Sequence, residues 1–170
     1  MSDKALNRIR KFLYALLLLA SILIQEAAFG ALNLKYVPCI VPIAVVSVAL
    51  FEGMETGGIF GLCTGCLWAW SGALSYYGAW TIVSLTVSAI AAGYMEERFL
   101  LNGWKTVLSV SAPALVLTDG LRVLVMSING TLPASAFIMS FLPCALFSLV
   151  FCVIFYPLAR VISKIGGFNG

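Results

Sequence analysis

Residues 37–74 read VPCIVPIAVVSVALFEGMETGGIFGLCTGCLWAWSGAL. Two apolar runs, about Val37–Phe51 and Gly57–Leu74, stand on either side of Glu52-Gly53-Met54-Glu55-Thr56. Pro38 lies near the start of the first run, where a helix does not need its missing N–H. Each run is short for a membrane span. A re-entrant hairpin would carry Glu52 and Glu55 to a tip inside the bilayer, where an isolated acid costs about 2.5–3.5 kcal/mol even on a lenient insertion scale. Two crossings joined by a wet loop over 52–56 is the expected arrangement. Gly53, Gly57, Gly61 and Gly65 recur every four residues, which on a helix lines one face. Lipid offers helices no hydrophobic drive to associate, so small residues matter because they let backbones approach closely. This face serves either packing within the bundle or an interface with a second subunit, a homodimer included.

Four further apolar segments flank this stretch, at about Phe12–Ala31, Ala79–Met95, Trp104–Ile128 and Ala136–Ile162. The first has twenty residues, enough at 1.5 Å each to cross about 30 Å of hydrocarbon. It follows Arg8, Arg10 and Lys11 as a signal peptide would. The apolar run continues through Gln25-Glu26 to Ala31, however, which predicts a retained helix. Ser75-Tyr76-Tyr77-Gly78 and Asn129-Gly130-Thr131-Leu132-Pro133 read as turns, and Pro143 and Pro157 as kinks in the last helix. Residues 163–170 are expected to be a short tail, frayed from Gly166.

Composition sets the class. Of 170 residues, 62% are hydrophobic and 10% charged. A soluble domain carries roughly 25% charge to face water, so most of this surface must face lipid. The expected fold is a single all-α integral membrane domain, a six-transmembrane-helix bundle. A net charge of +3 without a basic patch gives no case for nucleic acid. There is no histidine, the commonest general base near neutral pH and the commonest metal ligand. Cys39, Cys63, Cys66, Cys144 and Cys152 all lie in apolar stretches and are expected to be small packing residues.

Orientation follows from the cations. With an inside N-terminus, Lys4, Arg8, Arg10, Lys11, Arg98, Lys105, Arg160 and Lys164 lie on the inner side, and Lys35 and Arg122 on the outer. Basic residues favour the cytoplasmic side, so both termini are expected on the cytoplasmic side of an inner membrane. Trp68, Trp70, Tyr76, Tyr77 and Trp80 then gather at the outer interface, where amphipathic rings are favoured.

Three intramembrane polar residues are candidates for function. Asp119 and Arg122, three apart, share a face of the fifth helix. They form either a structural pair or a partner or ligand contact. Glu26, beside Gln25, is similar but nearer water. No second carboxylate is placed for acid–base work, and no acidic relay runs down a pathway. Cys63-Thr64-Gly65-Cys66 is a lone C-x-x-C without the further ligands a zinc site needs. Nucleophile elbows, phosphate loops and dinucleotide fingerprints are absent. No catalytic residue, metal or cofactor is expected.

The order of features resembles the rod shape-determining protein MreD family. A basic N-terminus leads into Leu16-Leu17-Leu18-Leu19-Ala20 and closes with Gln25. A turn reaches Pro38, the second helix ends in Ala49-Leu50-Phe51-Glu52-Gly53, and a Gly-x-x-x-Gly run follows from Gly57 to Gly61 to Gly65. The last helix ends in Arg160 and Lys164. The resemblance covers nearly the whole chain and is specific mainly across residues 25–75. Where that family often carries an aspartate four residues after the last glycine of the run, this chain has Ala69. The resemblance implies a fold similar to the S-components of energy-coupling factor transporters. It also implies a non-catalytic scaffold role in the elongation machinery for lateral peptidoglycan synthesis. The implied partners are an MreC-like bitopic protein, MreB and wall-synthesis enzymes. The alternative is an S-component-like subunit that binds a small molecule such as a vitamin, using Glu26, Asp119 or Arg122.

Overall fold

The computed structural model describes residues 3–29, 38–71, 78–99, 104–120 and 134–165, and they are almost entirely helical. Helix α1 is Asp3–Leu23 and continues as a π-helical turn over Ile24–Phe29. Helix α2 is Val41–Trp70, α3 is Gly78–Phe99, and α4 is Trp104–Leu115 with a π-helical extension Val116–Gly120. Helices α5, Ala134–Val150, and α6, Cys152–Ile165, complete the chain. Three helical stretches are long and apolar enough to cross a membrane: Val41–Trp70, Gly78–Arg98 and Phe141–Ile165.

The decisive feature lies inside α2. Gly53 has φ 78° and ψ −179°, outside the helical region. A β-carbon on Gly57 would stand 2.7 Å from the Ala49 β-carbon. In a straight helix, residues eight apart are separated by about 12 Å, so the chain reverses at Gly53. Contacts with α1 give the directions. The Ile40 N–H donates to Gln25 Oε1 (2.8 Å), and Glu52 meets Arg10, so residues 40–52 run back along α1. Phe60 packs edge-on against Tyr14 at 6.3 Å, and the Trp68 indole N–H donates to Glu26 Oε1 (2.7 Å), so residues 54–70 return the other way. Helix α2 is a hairpin with a one-residue turn.

The other helices alternate around it. Helix α3 runs antiparallel to residues 54–70, with Gly65 against Ile82, Gly61 against Leu85 and Ala89, and Gly93 against Gly53 and Met54. The last two helices run beside residues 40–52. The Cys39 N–H donates to Ser148 Oγ (2.7 Å), Phe51 stacks on Tyr156 at 5.5 Å, and the Tyr14 O–H donates to the Ala159 carbonyl (3.2 Å). Every residue from Val41 to Leu50 is buried. This segment is apolar on all sides, as a helix enclosed by others must be. The remaining helices show lipid-type outer stripes, such as Phe12, Leu16, Leu19 and Leu23 on α1 and Trp80, Val83, Val87 and Tyr94 on α3.

Several expectations are corrected. The wet loop over 52–56 does not exist: the helix resumes directly after Gly53, and the Glu52 side chain is only 2% exposed. A positive-φ glycine turns the chain in one residue, and Arg10 supplies the charge that solvent would have supplied. The first helix begins at Asp3 rather than Phe12, the fourth segment extends to Phe99, and the final helix continues to Ile165, through the first residues of the expected tail. The last segment is interrupted at Phe151 rather than at Pro143 or Pro157. There the Phe151 N–H bonds the Ser148 carbonyl three residues back (2.9 Å), while the Ser148 hydroxyl bonds the Cys144 carbonyl (2.7 Å), a contact that bends helices. Cys39 and Cys152 are buried, but Cys63 and Cys66 are exposed, on the face of α2 away from its glycines. Residues 30–31, 37, 72–74 and 121–128 of the expected helices lie outside the described residues.

Candidate functional site

The polar contacts that close the hairpin lie at its two ends. At the Gly53 end, Arg10 Nε lies 2.6 Å from Glu52 Oε1. The N–H does not point along that line, so the contact is mainly electrostatic. A second guanidinium nitrogen of Arg10 donates to Asn7 Oδ1 (3.1 Å). On the other side of the turn, Glu97 of α3 accepts the Met54 backbone N–H at 3.0 Å. Residues 54–70 therefore begin with a cap borrowed from another helix. A carboxylate there satisfies an orphan donor and matches the positive end of the helix dipole.

At the opposite end, Gln25 and Glu26 are consecutive, yet both reach into the bundle, one to Ile40 and one to Trp68. They lie on the π-helical turn. Its wider winding reduces the angle between neighbouring side chains, which lets two adjacent residues serve one side. Ser148 closes the same end by accepting the Cys39 N–H.

The four glycines divide between two roles. Gly53 forms the turn, and Gly57 meets Ala49 across it. Gly61 and Gly65 face α3: a β-carbon at Gly61 would lie 2.8 Å from the Ala89 β-carbon, and one at Gly65 2.9 Å from the Ile82 Cα. The ladder is thus occupied within the chain. Glu26 is half-buried and bonded to Trp68, which is turned inward rather than toward the interface, whereas Trp70 and Trp80 are exposed. The Asp119 side chain, all of Arg122, and Tyr76 and Tyr77 lie outside the described residues.

Sequence reasoning missed Glu97, Gly93 and the Arg10–Glu52 pair. Gly93 had a readable signal, a glycine inside an otherwise good helix; a β-carbon there would come within 2.5 Å of the Met54 nitrogen. Glu97 had none, because the loop-like Glu96-Glu97-Arg98 gave no sign of a cap 43 residues away. Among the described residues, no group of three or more His, Cys, Asp or Glu side chains gathers as a metal site. Six of these contacts join separate elements: Tyr14–Ala159, Cys39–Ser148, Ile40–Gln25, Met54–Glu97, Trp68–Glu26 and Arg10–Glu52, so the arrangement can fix helix ends and brace a hairpin.

The fold and these contacts define a helical bundle with membrane-spanning character, built around a buried hairpin. Comparison with family models, curated proteins and solved structures finds no match for this chain.

Proposed function

We propose that the chain is a non-catalytic, multi-pass scaffold of the bacterial cytoplasmic membrane. In this reading it supports lateral peptidoglycan synthesis through helix contacts with an MreC-like bitopic protein, in company with MreB and the wall-synthesis enzymes. The observation that carries the proposal is the position of the residues that resemble the MreD family. Residues 25–75 include the α2 hairpin, against which α1, α3 and α6 are seated. Of the features behind the resemblance, Gln25, the Glu52-Gly53 turn and Gly57 close the hairpin, and Gly61 and Gly65 seat it against α3.

In this reading six segments pass through the membrane region, α1, residues 41–52, residues 54–70, α3, α4 with its extension, and α5 with α6; the short 41–52 segment lies enclosed among its neighbours rather than spanning the hydrocarbon on its own. The Gly53 end carries Arg8, Lys11, Arg98, Arg160 and Lys164 on the surface. Loops rich in Lys and Arg favour the cytoplasm, so this end is the cytoplasmic one and both termini lie there. Reporter fusions at each terminus test the orientation.

The functional test is a mild-detergent pull-down of the tagged protein from its own host, with mass spectrometry of proteins and small molecules together. Recovery of an MreC-like protein with wall-synthesis enzymes supports the scaffold reading. Recovery of transporter ATPases or of a stoichiometric vitamin overturns it in favour of an S-component role. Unchanged cell shape and wall insertion after depletion also overturn it.

A further inference from the structure

The exposed cations at the Gly53 end are unevenly served. Arg10 has Glu52 and Asn7, and Arg98 lies 5.7 Å over the Tyr94 ring. Arg8 and Lys11 on α1, three apart, and Arg160 and Lys164 on α6, four apart, are exposed and have no ion pair among the described residues. Like charges at these spacings repel. Helix α6 contains no acidic residue, and Glu52 is buried and taken by Arg10, while Glu97 caps Met54. The Tyr14–Ala159 bond holds the two helices together at this level. Two repelling pairs therefore sit on adjoining helices with no ion pair of their own among the described residues.

Each pair also tops an exposed apolar stripe. Below Arg8 and Lys11 run Phe12, Leu16, Leu19 and Leu23; toward the far end from Arg160 and Lys164 run Leu158, Ile154, Val153 and Val150. Cations above exposed apolar side chains match the division of a phospholipid into phosphate head and acyl tail. Basic clusters between helices on the cytoplasmic side are suited to anionic headgroups. We propose that Arg8, Lys11, Arg160 and Lys164 form a binding surface for the phosphate of anionic phospholipids, with the acyl chains along the α1 and α6 stripes. The proposal rests on the membrane reading above, but not on the scaffold role or on the identity of any protein partner.

The test uses the full chain in nanodiscs of phosphatidylcholine with a minority of phosphatidylglycerol. Native mass spectrometry reads the lipids that stay bound. The wild type retains phosphatidylglycerol in excess of its share. The fourfold variant Arg8→Gln, Lys11→Gln, Arg160→Gln, Lys164→Gln loses that excess by about tenfold or more, given the several-fold contribution of each cation near a charged surface. Arg98→Gln, which also removes one charge, keeps it, and so does the charge-preserving Arg8→Lys, Lys11→Arg, Arg160→Lys, Lys164→Arg. That last variant separates loss of charge from loss of fold. No excess in the wild type, or an equal excess in the Gln variant, overturns the proposal. An excess removed equally by inorganic phosphate also overturns it, since a lipid site draws on the acyl chains as well. Reporter fusions that place the termini outside would overturn the orientation while leaving the lipid result intact.

Discussion

Replacing Gly53 with alanine strikes the turn in two ways. The first is conformational: φ 78° with ψ −179° is a region that only glycine enters readily. Holding an L residue there costs about 1–3 kcal/mol. The second is steric. The new β-carbon would lie 2.9 Å from Glu97 Oε1, and the carboxylate that must move is the one that caps Met54. Loss of an N-terminal cap costs about 0.5–2 kcal/mol. Together these give about 1.5–5 kcal/mol. For a chain of this size each kcal/mol lowers the melting midpoint by about 2–4 °C. The expected fall is therefore roughly 3–20 °C, read from thermal unfolding of the detergent-solubilised protein.

The same structure sets an internal control. Because Gly53→Ala already disturbs Glu97, combining it with Glu97→Ala should lower the midpoint by less than the sum of the two single effects, as coupled neighbours do. Glu97→Gln, which keeps an oxygen acceptor, should lose less than Glu97→Ala. A Gly53→Ala protein that melts within a degree of the wild type refutes the hairpin turn, and strict additivity with Glu97→Ala refutes the borrowed cap.

Three further outcomes follow from the same contacts and the same melting assay. Arg10→Met leaves Glu52 buried without its cation and should destabilise by about 3–5 kcal/mol, while Arg10→Met with Glu52→Leu should regain much of the loss; equal melting of the single and double variants would contradict the buried pair. Gly61→Val drives a side chain into Ala89 and the Leu85 carbonyl and should cost about 1–3 kcal/mol or more, whereas Gly78→Ala, with 3.2 Å to the Ala69 β-carbon, should cost less. Trp68→Phe removes the donor to Glu26 and should cost about 1.5–3 kcal/mol if that carboxylate is charged; a Glu26→Gln protein keeps an acceptor and should melt closer to the wild type.

Helical character and the apolar segments were legible because composition and run length report on lipid exposure directly. The glycine face was legible too, since a four-residue spacing fixes which side of a helix is small. What escaped was pairing. Glu52 read as a loop residue because an acid beside a glycine between two apolar runs has that appearance in any sequence. Only its contact with Arg10, 42 positions earlier, makes burial tolerable. Cys63 and Cys66 read as packing residues because an apolar neighbourhood looks the same whether it faces protein or lipid. Trp68 read as an interfacial ring for the same reason. The sequence pattern distinguishes water from everything else, and it does not distinguish a neighbouring helix from a fatty acid.

That ambiguity also explains why the second segment seemed too short. Residues 41–52 make a helix of about 18 Å, well under the roughly 30 Å of a hydrocarbon core. The length rule holds for helices that meet lipid, because their ends must reach a region that can satisfy backbone polar groups. This helix is enclosed by its neighbours, and its start is satisfied inside the bundle. The Cys39 N–H reaches Ser148 and the Ile40 N–H reaches Gln25. At its other end the chain turns at Gly53, and the next helix begins with its Met54 N–H on Glu97. A helix whose first N–H groups find side-chain partners inside the bundle need not reach water at that end. Gln25, Ser148 and Glu97 therefore do for this hairpin what the two aqueous interfaces do for a lipid-exposed helix, and its depth is set by where α1, α3 and α5 place those three side chains.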